Sequence, residues 1–500
     1  MRRRTFMIGS FQRSRRVTRR GLVVLLAVVL QLVLPLNAYA HQQLLRSEPA
    51  QGDHLSEVPR TLHLVFNEPV ELAVSRLALA GPNGTVALPR LRLHSDSSTV
   101  LLADIAGPLE AGTYTVTWQV VGSDGHPVRG EFAFTIAPDA AGLVRPADAG
   151  PTAPGQTPPP SEHHPAATFP ASSGFDAGSP LYAAVRWLTF SGLLAIIGVL
   201  AFRLLVLRLL ERNRDTMDDA LVAPAAEHAR RVGVVAIGVL GAVLLLRLYA
   251  QSYALHGSAQ ALDPSLIGTM LVRTIWGWGW LLQLAGTIVV LGGLLAARNR
   301  HRLGWWIVIP GVVALAFTPA LSGHAVATPG VTILAIIADG LHVLGAGGWL
   351  GSLLLVLVVG LPVALRRPAD QRAASVTALI NAFSPTALFF AGLVVATGVF
   401  AAWVHLESVT ALWQSPYGRT LLVKLAVVSL LFGTGAYNWL KVRPALGDEV
   451  AAHRLRRSAG LEVAVGIVVL AITAVLVVTP PPIERMSPAG GAQIQTGDTP

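Results

Sequence analysis

Hydrophobic and polar residues alternate over positions 41–137 of this chain, and long apolar runs dominate after position 181. In the first region, runs such as residues 61–66 and 114–120 place an apolar side chain at every second position, a period that predicts half-buried β-strands. Turn signals such as Gly81-Pro82-Asn83-Gly84 separate about seven strands, which favours a small antiparallel sandwich or barrel.

Eight apolar segments follow, each able to cross a hydrocarbon core about 30 Å thick as a helix, the fourth only just. They predict an all-α, eight-helix transmembrane domain within residues 181–482, with spans at approximately 181–209, 232–255, 271–297, 305–321, 331–361, 378–404, 421–440 and 459–478.

Residues 1–40 are typical of a secretory signal peptide, with an arginine-rich start, an apolar run and the small-residue pattern Ala38-Tyr39-Ala40. Cleavage after Ala40 leaves His41 as the mature N-terminus. Arginine pairs in the leader keep twin-arginine export open beside the general secretory route.

The Pro-, Ala- and Gly-rich segment 138–180 is predicted to be a disordered linker, and residues 483–500 a disordered tail. As a flexible coil the linker has a reach of about 35 Å, enough for the domain 41–137 to touch the outer face of the membrane domain.

Composition excludes several classes of protein. Only 13% of the residues are charged, which rules out a wholly soluble chain, and the absence of cysteine rules out disulfides, zinc-thiolate sites and cysteine nucleophiles. The net charge of +10 does not indicate a nucleic-acid partner, because many arginines lie in the leader and in short loops between spans. Sixteen Lys and Arg side chains lie in the predicted cytoplasmic loops, against Arg419 and Arg485 outside, so the positive-inside rule agrees with the signal peptide.

This pattern places the protein in the plasma or inner membrane as a multi-pass protein in the lipid bilayer, with its N-terminal domain in the periplasm or extracellular space. The two lysines, Lys424 and Lys441, lie in no phosphate-binding loop, so no ATP site is expected. Oligomeric state stays open.

A mature N-terminal His41 supplies two nitrogens, the free amine and the ring Nδ1, which together form a chelate that Cu(II) favours. The segment Ser123-Asp124-Gly125-His126-Pro127 follows the strongest predicted strand and places a carboxylate and an imidazole two residues apart on a turn. His41, Asp124 and His126 would offer three nitrogens and one oxygen. Asp124 could instead close an Asx turn before Gly125.

The stretch from His41 to Ala137 resembles the CopC copper-resistance family in its mature histidine, in Ser47-Glu48-Pro49, and in a strand with Tyr114 and Trp118 that leads into residues 123–127. The resemblance implies a Greek-key, immunoglobulin-like sandwich whose Cu(II) ligands are His41, Asp124 and His126. The methionine-rich Cu(I) site of some members is not expected, because this domain contains no methionine.

Polar residues interrupt the apolar spans at the fifth segment, where Asp339 and His342 are three residues apart and share a helix face. Ionisable groups inside a membrane span are costly, so these two residues indicate a functional site. His324, just before this span at its predicted outer end, is the expected third member of the site. A hydrogen bond between Asp339 and His342 that only locks helix packing is the alternative.

The spans resemble the CopD copper-resistance family over most of residues 181–482, in short motifs that occur in order. These are Ser322-Gly323-His324-Ala325, Asp339-x-x-His342 with Trp349-x-Gly351, Phe383-Ser384-Pro385, Thr397-Gly398, Tyr417-Gly418-Arg419 with Lys424, Asn438, and Glu462 followed by Thr479-Pro480-Pro481.

Together the two resemblances imply a fused copper-handling protein, not an enzyme, in which the exported domain captures Cu(II) and passes it to the membrane domain for import. His324, Asp339 and His342 form the predicted membrane path, where Cu(I) is left open as the carried species. Copper sequestration that confers resistance without transport is the nearest alternative, and a copper chaperone, a sensor and a copper monooxygenase rank below it.

Overall fold

The computed structural model describes two folded regions, a β-domain and a helical domain, over residues 43–122, 125–138, 179–212, 219–299, 301–322, 332–406, 408–443 and 449–479. The predicted signal peptide, linker and tail lie outside these residues, as do His41, Asp124 and His324.

The β-domain is a two-layer sandwich, as predicted. A four-stranded sheet has the order β1-β3-β7-β6 and a five-stranded sheet the order β2-β9-β8-β4-β5. The chain crosses between the sheets repeatedly, so both contribute to one core. The strands are β1 (Leu44–Glu48), β2 (His54–Leu55), β3 (Thr61–Phe66), β4 (Arg76–Gly81), β5 (Gly84–Val86), β6 (Arg90–His94), β7 (Ser97–Asp104), β8 (Gly112–Val121) and β9 (Pro127–Ile136).

Alternation produces this core, because the inward positions of β3 and of β8 up to Trp118 are apolar and buried while their neighbours are more exposed. The last residues of β8, Gln119 to Val121, are all buried. Phe66 lies edge-on to Trp118 at 5.4 Å between ring centroids, which joins the two sheets. A Cβ at Gly130 would collide with the Trp118 indole, so glycine is required where β9 passes that ring.

The helical domain consists of ten helices in the described part of the chain. They are α1 (Pro180–Arg212), α2 (Asp219–His256), α3 (Pro264–Arg273), α4 (Ile275–Ala296), α5 (His301–Phe317), α6 (Thr332–Leu365), α7 (Ala369–His405), α8 (Ala411–Gln414), α9 (Pro416–Val442) and α10 (Glu449–Leu476).

Seven of these helices are long and apolar enough to cross a membrane. The fourth predicted span corresponds to α5, whose apolar part, Arg302–Phe317, is shorter than the others. At 1.5 Å per residue it covers about 25 Å, which is less than a hydrocarbon core of about 30 Å.

Three of the long helices contain π-helical turns, which insert an extra residue and rotate the rest of the helix. These turns lie at Phe202–Val206 in α1, Gly347–Gly351 and Val356–Gly360 in α6, and Asn438–Val442 in α9. The first turn in α6 packs directly on α1, where a Cβ at Gly351 would collide with the carbonyl of Leu194.

The β-domain contacts α2, α3 and α4 of the helical domain through a small apolar cluster. Two side chains of the β-domain, Val74 and Val121, are buried in it. The helical domain contributes Leu244, Leu255, Met270, Trp276 and Trp280.

Candidate metal sites

The turn between β8 and β9 carries the predicted imidazole ligand His126. Val121 and Pro127 form the last pair of the ladder, and the Gly125 amide donates to the Gly122 carbonyl at 2.9 Å to close the turn. Gly125 has φ 84°, a left-handed conformation that favours glycine. The turn therefore places His126 at the closed end of the hairpin, immediately before β9.

His126 is only 8% exposed, and the residues that cover it include one from the helical domain. Its ring lies edge-on to Tyr182 of α1 with 5.6 Å between the ring centroids. Tyr182 is positioned by the start of α1, where the hydroxyl of Ser179 accepts a hydrogen bond from the Tyr182 amide at 3.2 Å.

Gln251 of α2 links the tyrosine to the turn. Its side-chain amide donates to the carbonyl of Gly125, and its oxygen accepts from the hydroxyl of Tyr182 at 3.0 Å. Gln251 and Tyr182 are both 2% exposed. Arg186, one turn further along α1, places its guanidinium 4.8 Å from the centre of the Tyr182 ring. Sequence reasoning missed this set, although each is a polar side chain inside or beside an apolar span.

Of the predicted Cu(II) ligands, only His126 is among the described residues, and how His41 and Asp124 approach it stays a prediction. The chemistry at the described part of the site is consistent with a nitrogen ligand held in a covered position.

In the helical domain, Asp339 and His342 both lie on α6, and both are partly buried. Their expected third member, His324, lies outside the described residues. Within the described ranges, no group of three or more His, Cys, Asp or Glu side chains is placed to hold a metal ion.

The geometry around His342 indicates which ring nitrogen is available. Its Nδ1 lies 2.9 Å from the hydroxyl of Thr397 on α7, and that hydroxyl already donates to the Leu393 carbonyl at 2.7 Å. When that hydroxyl donates to Leu393, it accepts from an Nδ1–H group, and the backbone carbonyl of Val394 is a second hydrogen-bond partner of His342. In a neutral ring this tautomer leaves the Nε2 lone pair for a metal ion, in the arrangement by which outer hydrogen bonds orient histidine ligands.

Lys424 of α9 interacts electrostatically with both Asp339 and His342. The pair predicted from the sequence is thus a group of four, completed by Thr397 and Lys424. The short motif Thr397-Gly398 and the isolated lysine in an apolar span were the signals for these two residues.

A second buried polar pair lies further along α9, where the side-chain amide of Asn438 donates to Glu462 of α10. Glu462 is 4% exposed. Asn438 is also the first residue of the π-helical turn in α9.

Three family models match separate parts of the chain. Residues 44–137 match the CopC domain, residues 176–335 match the copper resistance protein D-like N-terminal domain, and residues 377–476 match copper resistance protein D.

Curated relatives match nearly the whole chain or one of its two domains. The chain is 27% identical to the copper transport protein CutJ of Bacillus subtilis over 459 residues, which is 90% of this chain and 76% of that protein. It is 27% identical to copper resistance protein D of Pseudomonas syringae pv. tomato over 61% of this chain and 98% of that protein. Copper resistance protein C of Escherichia coli is 32% identical over 20% of this chain and 84% of that protein.

Proposed function

Because the chain belongs to the CopC and CopD families and joins both in one polypeptide, we propose that its β-domain captures Cu(II) outside the cell membrane and passes it to the helical domain for import. Copper is the cargo of this process. Copper binding and transport are the functions that the family membership and the CutJ relative support.

The observation that carries the proposal is the position of His126. Its turn lies against Tyr182 and Gln251, at the helix ends that the positive-inside pattern places outside. A metal ion leaving this turn would therefore meet the helical domain without crossing bulk water.

We propose His41, Asp124 and His126 as the Cu(II) ligands of the β-domain. Nitrogen and oxygen donors suit Cu(II), whereas Cu(I) prefers thiolate and thioether sulfur. His324, Asp339 and His342 continue the route with the same classes of donor. Asp339 and His342 alone would not complete a copper site, so carriage by these residues requires His324, a backbone oxygen or water.

The proposal is for a transporter and not for an enzyme. Copper monooxygenase activity would be revealed by reductant-dependent oxygen consumption of the copper-loaded protein, which we expect to be at background.

Uptake of radiolabelled copper by cells that lack the native gene, complemented with variants, tests the proposal. We expect His126→Ala to reduce uptake, because the β-domain loses a ligand. His54→Ala is the matched control, since His54 is an exposed histidine on β2. Uptake that is unchanged in His126→Ala would contradict the proposal.

The same experiment separates import from sequestration. If the protein only sequesters copper outside the membrane, cells that lack it will accumulate more copper inside and not less.

A further inference from the structure

We propose that docking of the β-domain on the helical domain acts as a gate, which rests on the copper transport proposed above. In the docked position Gly125 and His126 of the metal-binding turn lie against α1, α2 and α4. Copper would then load onto the β-domain while it is undocked and leave it for the helical domain while it is docked.

The first observation is the covering of the turn. The carbonyl of Gly125 accepts from Gln251, and a Cβ at Gly125 would collide with the side chain of Trp276 of α4. Together with Tyr182 against His126, three helices contact the described part of the turn, Gly125 and His126. On this face of the turn, the helices therefore lie between His126 and the solvent.

The second observation is a polar clamp at the carboxyl end of α2. The last carbonyls of a helix have no partner within the helix, and this end carries a partial negative charge. Arg129 of β9 donates to the carbonyl of Ala254 at 2.7 Å, and Gln119 of β8 donates to the carbonyl of Leu255 at 3.1 Å. The β-domain thus satisfies the end of a helix that belongs to the other domain.

Further contacts fix the orientation of the clamp. Arg129 also donates to the side-chain oxygen of Gln119 at 3.0 Å, which holds the two clamp residues together. Arg76 of β4 lies 3.0 Å from Nδ1 of His256, the last residue of α2. On the far side, the amide of Ile275 donates to Glu71 at 3.1 Å.

The third observation concerns reversibility. The contact combines a few hydrogen bonds with one small apolar cluster to which the β-domain contributes Val74 and Val121. Polar interfaces of this type between domains of one chain resemble transient protein interfaces more than a continuous core. The interface can therefore open without unfolding either domain.

A chemical lock tests the gate, and the absence of cysteine from the chain makes the lock selective. Glu71 and Ile275 face each other across the interface, so the double variant Glu71→Cys with Ile275→Cys can be joined by a short bismaleimide in the purified full-length protein. The thioethers formed leave no free thiol. The control is the same variant capped with N-ethylmaleimide.

The order of addition is the decisive readout. Copper added after locking should load at least about tenfold more slowly than in the capped control, measured by the Cu(II) electron paramagnetic resonance signal. Copper added before locking should remain bound when a chelator is added. Equal loading before and after locking would overturn the gate, because damage to the fold would affect both orders alike.

Arg129→Met provides the opposite perturbation, since it removes the charged donor of the clamp and keeps the apolar stem. We expect Cu(II) to load at least as fast as in the wild type, and uptake into proteoliposomes to fall by about tenfold, the scale set by loss of one charge-assisted hydrogen bond. Arg92→Ala is the control, because Arg92 is an exposed arginine on β6 of the opposite sheet.

The results distinguish the gate from the transport on which it rests. Normal uptake by Arg129→Met, with undocking shown by loss of the Glu71-to-Ile275 crosslink in that background, would overturn the gate and leave transport intact. Absence of uptake by wild-type proteoliposomes would refute the proposed transport, while the loading experiment would still decide whether docking controls access to the turn.

Discussion

Replacement of Thr397 by valine tests whether His342 binds copper through Nε2. Thr397 is 7% exposed, and valine has nearly the same shape, so packing between α6 and α7 is kept. The change removes the hydroxyl that faces Nδ1 of His342 at 2.9 Å and leaves the carbonyl of Val394 as a partner of His342. It leaves no new unsatisfied carbonyl, because Leu393 still accepts the backbone hydrogen bond of α7.

The magnitude follows from the partner that is lost. A typical hydrogen bond contributes about 0.5–1.5 kcal/mol, which corresponds to about 2- to 13-fold in an equilibrium constant. Loss of an outer partner of a histidine ligand typically costs about 10- to 100-fold in metal affinity. We therefore expect the KM for copper uptake to rise by about tenfold in Thr397→Val, where the two ranges overlap, and Thr397→Ser to restore it.

The assay is the initial rate of radiolabelled copper uptake as a function of copper concentration. Thr189→Val is the matched control, because Thr189 of α1 is 6% exposed and donates to the Val185 carbonyl at 2.8 Å in the same helical geometry. A KM within about twofold of the wild type in Thr397→Val, at normal expression, would refute the role assigned to His342.

Two further predictions concern the β-domain. Burial raises the pKa of Glu71 above its ordinary value of 4.5, against the opposing hydrogen bond from the Ile275 amide; Glu71 therefore stabilises the folded protein below the ordinary pKa, and this contribution is lost as pH rises through the raised pKa. Glu71→Gln should flatten this pH dependence of the free energy of unfolding, measured by pulse proteolysis in urea at a series of pH values, and a persisting slope would show that another group titrates. Phe66→Ala should destabilise the sandwich by about 3–5 kcal/mol, because Phe66 is 2% exposed and packs on Trp118, and pulse proteolysis in urea measures this loss.

The long strands could be predicted because their alternation extends over enough residues to exceed chance. Two strands could not, since β2 has two residues and β5 has three. Both are edge strands, and they form because β9 and β4 offer unpaired backbone groups to them. Their formation depends on the neighbouring strand, and no pattern within two or three residues indicates it.

The candidate site was predictable only where its residues lie close in sequence. Asp339 and His342 follow helical spacing, but the partner of His342 is Thr397, 55 residues away. Gln251 and Gly125 are separated by 126 residues. A flexible linker allows the two domains to come into contact, but its sequence does not indicate which of their faces are in contact.

Trp349 lies seven residues after His342, inside the π-helical turn at Gly347–Gly351. It packs on Phe432 of α9, at 5.0 Å between ring centroids, and α9 is also the helix whose Lys424 interacts with Asp339 and His342. The extra residue of this turn is stabilised by contacts with α1, and these contacts are not visible in local sequence.

The buried polar groups lie at two levels of the helical domain. On α9, Lys424 and Asn438 are 14 residues apart, or about 21 Å along the axis. The buried apolar residues Val427 and Leu431 of α9 lie between them, packed in one cluster with Val465, Val468, Val469 and Ile472 of α10. The distance exceeds the reach of any side chain, and the residues of this cluster offer no polar side-chain atom, so an ion held by Asp339 and His342 would pass through the cluster to Glu462 only if α9 and α10 separated. The π-helical turn that begins at Asn438 is a place where α9 already departs from regular helical hydrogen bonding.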